Sequence, residues 1–295
     1  LHKALDAAGR YDWNEVADLQ RRASDPAVRN LIMWVRASEG VPGMGFDEVA
    51  SAIETLPTWP KTDRMRKRAE EIIDLSSLSH GERILWLTKS GPQTGAGKIA
   101  LARSYRAVGQ SAKAEALVHD AWRNNSMDRD LERIVLATYG GFLTEADHRA
   151  RIEFLLWTNQ RSAATKLKPL VSADYRKLVD ARIALASRGR NVDRLVDAVP
   201  ASLQDNPGLL YDRARWRRTR GNQDGATPLL VGIDANDVPE AGRSKLWDER
   251  STAMRTDLKD GNWSRAYQLT APHGMTEGSD YADAEWAAGW IALRL

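Results

Sequence analysis

"TGAGKIALARSYRAVGQSAKAEALVHDAW", residues 94–122, decides the fold. Leu101, Tyr105 and Val108 are four and then three residues apart, which puts them on one face of a helix. Gly109 ends that helix by supplying a left-handed turn at no steric cost. Beyond it Ala114, Leu117, Val118, Ala121 and Trp122 follow the i, i+3, i+4, i+7, i+8 pattern of a second amphipathic helix. The unit is a helix hairpin.

The hairpin recurs along the chain. A turn residue followed by a small residue five positions on and an aliphatic one eight positions on appears as Gly45/Ala50/Ile53, Gly109/Ala114/Leu117, Gly221/Ala226/Leu229 and Gly261/Ala266/Leu269. Looser copies follow Asp12 (Ala17), Asn159 (Ala164, Leu167) and Gly189 (Arg194). Most anchors lie one or two periods of roughly 30–40 residues apart, the size of a helix-pair repeat. The expected product is an all-α, superhelical solenoid of TPR-like hairpins, each burying its apolar face on its neighbours, over residues 1–295 as a single domain. Helix starts support this: Ser79 and Thr144 each precede a carboxylate by three residues, Asp25 precedes Pro26, and Thr94 stands ahead of Gly95. No alternating pattern is sustained, so no sheet is expected. Pro228, inside the helix expected after Gly221, marks either a late start or a kink.

Composition limits the remaining choices. The chain has 295 residues, of which 42% are hydrophobic and 28% charged, a globular balance without a membrane-length apolar run. It contains no cysteine, which removes thiolate and disulfide chemistry. A net charge of +3 with both signs interspersed argues against a nucleic-acid partner and favours anionic partners only weakly.

"SGPQTGAGK", residues 90–98, imitates a phosphate-binding loop. The imitation fails on spacing, because five residues separate Gly91 from Gly97 where the motif has four, and Ile99 stands where a magnesium-holding hydroxyl belongs. Ile84–Leu87 follows the Ser79/Glu82 capping pair and reads as helix instead of the required strand. "LLVGID", residues 229–234, imitates the apolar strand and aspartate of the same site, yet it falls in the hairpin register after Gly221. A nucleotide hydrolase is therefore not expected, nor is a cofactor or a metal.

Other candidates are surface features. His2, His80, His119, His148 and His273 are scattered without metal-ligand spacing and read as surface or cap residues. Glu285, between Ala284 and Trp286, is the carboxylate closest in pattern to a general acid, against the plainer reading of a solvated helix glutamate. In "RARWRRTR", residues 213–220, Arg213, Arg217 and Arg220 line one helical face that could meet an anionic polymer, with Trp216 turned inward; a solvated face accounts for them equally well. Eleven tryptophans raise the possibility of sugar stacking, but Trp122, Trp157, Trp286 and Trp290 fall in apolar register and are expected in the core.

Three further segments carry a family resemblance. "GGFLTEADHRARIEFLLW" (140–157) presents Leu143-Thr144, Asp147-His148, Arg151 and Leu155-Leu156-Trp157 in order. "LWDERSTAMRTDLKDGNWSRAYQLTAPHG" (246–274) presents Trp247-x-Glu249-Arg250, Ala266-Tyr267 and His273-Gly274, and "YADAEWAAGWIALRL" (281–295) closes with Glu285-Trp286 and Gly289-Trp290-Ile291. Together they resemble the N-terminal superhelical region of soluble lytic murein transglycosylases, strongly over residues 91–295 and weakly over 1–90. The resemblance implies a periplasmic enzyme that cleaves peptidoglycan between N-acetylmuramic acid and N-acetylglucosamine, leaving a 1,6-anhydro product. In that family the cleavage belongs to a separate C-terminal lysozyme-like domain with a Glu-Ser motif and a downstream Gly-Leu-Met-Gln. Neither motif occurs here, so no catalytic residue carries over and the chain is expected to be inactive by itself. The resemblance therefore implies a scaffold that positions glycan strands and the catalytic domain, with Arg213, Arg217 and Arg220 as the expected contacts. Other cell-wall proteins are further expected partners. A free-standing helical-repeat adaptor or regulator is the rival reading.

Overall fold

A computed structural model describes residues 1–41, 43–187 and 189–295. Among the described residues all regular structure is helical, as the period of the apolar positions predicts. The chain divides into two compact units, Leu1–Phe142 and Leu143–Leu295.

The first unit holds α1 (His2–Gly9), α2 (Trp13–Arg22), α3 (Pro26–Glu39), α4 (Phe46–Thr55), α5 (Thr62–Ile72), α6 (His80–Thr88), α7 (Gly95–Ala107), α8 (Ser111–Asn124) and α9 (Arg129–Tyr139). The second holds α10 (Glu145–Trp157), α11 (Arg161–Leu167), α12 (Ala173–Ala186), α13 (Val192–Asp197), α14 (Pro207–Arg218), α15 (Gln223–Val231), α16 (Glu240–Lys259), α17 (Trp263–Thr270) and α18 (Ser279–Ala292).

Five hairpins share one turn. Tyr11, Gly109, Asn159, Gly221 and Gly261 have φ of 60°, 80°, 63°, 82° and 81°. In each case the next residue's amide reaches back to a carbonyl five positions earlier, as in Gln110 to Tyr105 (2.8 Å) and Asn262 to Asp257 (2.7 Å), which closes the first helix. Five residues after the left-handed position stand Val16, Ala114, Ala164, Ala226 and Ala266, all at most 1% exposed. A larger side chain there would push the paired helices apart, so the small residue sets their approach.

The repeat differs from the expected register at three anchors. The first copy turns at Tyr11 instead of Asp12, which caps α2 through Glu15 N–H, and Val16 instead of Ala17 is buried. Gly45 itself has extended backbone (φ −77°) and caps α4, while the left-handed residues of that connection are Gly40 and Gly43 (φ 66° and 84°). Near Gly189 the left-handed residue is Asn191 (φ 56°), and Val196 is buried while Arg194 is exposed. Local spacing finds the hairpin but does not distinguish the residue that ends one helix from the residue that caps the next.

The helix starts form as expected. Ser79–Glu82 and Thr144–Asp147 are reciprocal capping boxes, Asp25 caps ahead of Pro26, and the Thr94 hydroxyl accepts Gly97 N–H at 2.9 Å. α15 begins at Gln223, ahead of Pro228, so this proline is not a late start. In α7 the core side is Ile99–Ala102, whereas Val108 is 46% exposed at the helix end.

Candidate functional site

The mimic of a phosphate loop is occupied by the protein's own carboxylate. Glu70, on α5, is 1% exposed and accepts Gln93 N–H (3.0 Å), Thr94 N–H (2.7 Å) and the Thr94 hydroxyl (2.7 Å). These amides open α7, where the helix dipole favours negative charge, and Glu70 supplies it. A side chain on Gly97 would meet Glu70 Oε2 at 2.5 Å, so the glycine is there for close packing. The strand-like run at residues 229–234 is the last turn of α15 and the loop after it: the Leu230 and Ile233 carbonyls are both taken by Arg250.

Charged side chains of the second unit form its internal joints. Arg182 on α12, 2% exposed, donates to Glu153 on α10 and to Asp212 on α14 (2.8 Å). Burial by itself would lower the Arg182 pKa, but the two carboxylates outweigh it and hold the guanidinium charged. Burial raises the Asp212 carboxyl against the pull of Arg182, and it raises the Tyr175 phenol, whose hydroxyl donates to Glu153 (2.8 Å). On α16, Arg250 is fully buried and donates to the carbonyls of Leu230, Ile233 and Pro272, tying the end of α15 to the end of α17. Burial pushes its pKa down to about 10, still well above neutrality.

The arginines picked out by the sequence are placed unevenly. Arg213 and Arg217 lie on α14, whereas Arg220 lies past its end, in the turn, with its guanidinium 3.0 Å from the Trp216 ring centroid. Arg217 donates to the Gly225 carbonyl at 2.7 Å and so closes the α14–α15 hairpin. Their neighbours Arg215 and Arg218 face α16: Arg218 holds Glu249 through two bonds (2.5 and 2.8 Å), and Arg215 stands 3.6 Å from the same carboxylate. The three expected residues therefore do not form one uniform helical face, because the helix ends between the second and the third.

Glu285 meets a partner that spacing does not reveal. His273 Nδ1 accepts Met275 N–H at 3.1 Å, so Nε2 carries the proton and donates to Glu285 Oε1 at 2.8 Å. This bond ties the loop after α17 to α18. His273 (6% exposed) and His148 (8%) are buried, contrary to the surface reading of the histidines, and burial lowers the His148 pKa. Among the described residues no group of histidine and carboxylate side chains could hold a metal ion.

The tryptophans split between core and surface. Trp122 and Trp157 are buried as expected, whereas Trp286 is 67% exposed and Trp290 is partly so. α18 has two apolar stripes, and the small one, Ala284, Ala287 and Ile291, faces the core. Trp286 points outward, whereas Trp290 packs partly against the core and on Trp263 (ring centroids 5.6 Å), with its ring nearly parallel to Trp286 at 6.1 Å and the Arg294 guanidinium 5.0 Å from its centroid. Periodicity alone does not rank two stripes; the closer approach allowed by alanine does.

No known protein family, no curated protein and no solved structure matches this chain. Among the described residues no helix is long and apolar enough to cross a membrane.

Proposed function

We propose that this chain is a noncatalytic helical scaffold of a periplasmic lytic murein transglycosylase, one that binds peptidoglycan glycan strands and seats a lysozyme-like catalytic domain. The observation that carries the reading is where the transglycosylase-like segments fall in the second unit. Their residues supply many of its buried polar joints: Asp147 in a capping box, Glu249 against Arg218, Arg250 on three carbonyls, and His273 on Glu285. A scaffold keeps such residues for its internal geometry and needs no general acid.

Binding is tested by sedimentation with purified peptidoglycan at low salt. The chain is expected in the pellet, and Arg213→Glu with Arg220→Glu is expected to release it. Arg217 is left intact because it closes a hairpin. A chain that stays in the supernatant overturns the proposal, and release of anhydro-muropeptides by the chain alone overturns its noncatalytic part. A protein adaptor is the second reading, favoured by the exposed Trp286 ring. Retention of purified periplasmic proteins without any peptidoglycan binding would select it.

A further inference from the structure

Where α10, α11, α12, α14 and α16 of the second unit meet lies a small cleft whose wall includes Trp157, Arg161, Arg182, Asp212, Arg215 and Lys245. Its one carboxylate, Asp212, is engaged by Arg182, which also holds Glu153. The other three cations are poorly neutralised. Arg215 is half exposed and its only close carboxylate, Glu249, is bound more tightly by Arg218. Arg161 makes no hydrogen bond or ion pair through its guanidinium among the described residues. Lys245 donates to the Trp157 carbonyl, which leaves two ammonium protons available. Burial, then Arg215 and Arg161, lower the Lys245 pKa, which places these charges within reach of one another.

Trp157 lines the same wall. The Trp157 indole Nε1 is buried and has no hydrogen-bond partner. Arg161, Arg215 and Lys245 thus bring unused cationic donors to a cleft whose one carboxylate is already engaged by Arg182. The inner part of the cleft is small, with room for about one water-sized group, and it opens to solvent at its mouth.

We propose that this cleft is a carboxylate-binding site in which Arg161, Arg215 and Lys245 hold the anion beside Trp157. One carboxylate oxygen enters the enclosed part, and the second stays at the mouth between the two arginines. A tetrahedral dianion is disfavoured because Asp212 stands in the wall and repels the second negative charge. The carboxylate belongs either to a free small acid or to the C-terminus of a peptide. The inference stands apart from the peptidoglycan reading, since it concerns cleft chemistry alone.

The test follows the indole N–H signal of Trp157, assigned by Trp157→Phe, in ¹⁵N NMR titrations of the whole chain. The probes are acetyl-Ala-Ala with a free carboxylate, its C-terminal amide, sodium acetate and sodium phosphate. The free acid is expected to shift the signal and the amide to leave it in place. Arg161→Gln is expected to weaken binding about tenfold, and Lys245→Gln likewise. Should loss of the Trp157 carbonyl contact unfold the lysine variant, the arginine variant still decides, because that side chain has no bond to lose. Equal binding of acetate and peptide identifies a small-acid site, and tighter binding of the peptide identifies a chain terminus. Binding of the amide as tightly as the acid, a response to phosphate alone, unchanged affinity in Arg161→Gln, or no shift with any carboxylate overturns the proposal.

Discussion

The two units are built from the same kind of hairpin and hold it together differently. In the first, Glu70 is the one charged side chain among the described residues that is fully buried, and it caps a helix. In the second, Asp147, Arg151, Arg182, Glu249, Arg250 and Asp257 are all buried. A helix-pair repeat can thus be joined mainly by apolar contact, as around Met65, Ile73 and Leu87, or by guanidinium groups reaching between helices. Apolar contact tolerates sliding, whereas a buried ion pair has one geometry in which its charges are compensated, so the second mode penalises misregister more heavily.

The contrast is most directly broken at Arg182. Arg182→Met leaves Glu153 and Asp212 without their cation, a loss of about 3–5 kcal/mol expected in the second unit only. Hydrogen exchange read separately over the two units checks it; equal loosening of the first would show that they do not unfold independently. Arg250→Met strands three carbonyls and is expected to cost about 3 kcal/mol over α15–α17, measured by urea unfolding.

On the other side, Glu70→Gln keeps the shape of the first unit's buried carboxylate but removes its charge and one acceptor. The expected loss is about 1–2 kcal/mol, with faster exchange at Gln93 and Thr94. A loss as large as that at Arg182 would erase the distinction between the units.

The smallest effect is expected at Glu145. The Ser172 N–H, then Arg149 and the Ser172 hydroxyl, lower its carboxyl from 4.5 to about 2. A depressed carboxyl contributes stability above its unfolded pKa and loses it as pH falls through the folded value. Protection of the Ser172 amide is therefore expected to be full above about pH 4.5 and to decline towards pH 2, and Glu145→Gln is expected to remove that dependence.

Much of the fold is legible locally. Thr94, Ser79, Thr144 and Asp25 cap helices because a side chain reaches an amide two or three residues on, a relation confined to one short segment. Gly109, Gly221 and Gly261 mark left-handed turns for the same reason. Tyr11 and Asn159 adopt that conformation without being glycine, so composition gives less warning there.

The candidate sites were less legible. Arg213, Arg217 and Arg220 look equivalent as a string, yet the first lies half-buried on α14, the second closes a hairpin and the third lies on an indole. Arg161, Arg215 and Lys245 carry no common motif, since they meet only after α11, α14 and α16 have packed. His273 and Glu285 likewise become a pair through the path of the loop between α17 and α18.

What the sequence determined by itself is the set of helices, their starts and the repeated hairpin, because each depends on contacts between residues a few positions apart. The tertiary structure decided which apolar stripe of α18 faces inward, which arginines are spent on carboxylates and carbonyls, and which remain free to meet an anion. Those outcomes depend on what the neighbouring helix presents, and a helix does not encode its neighbour's charges in its own period.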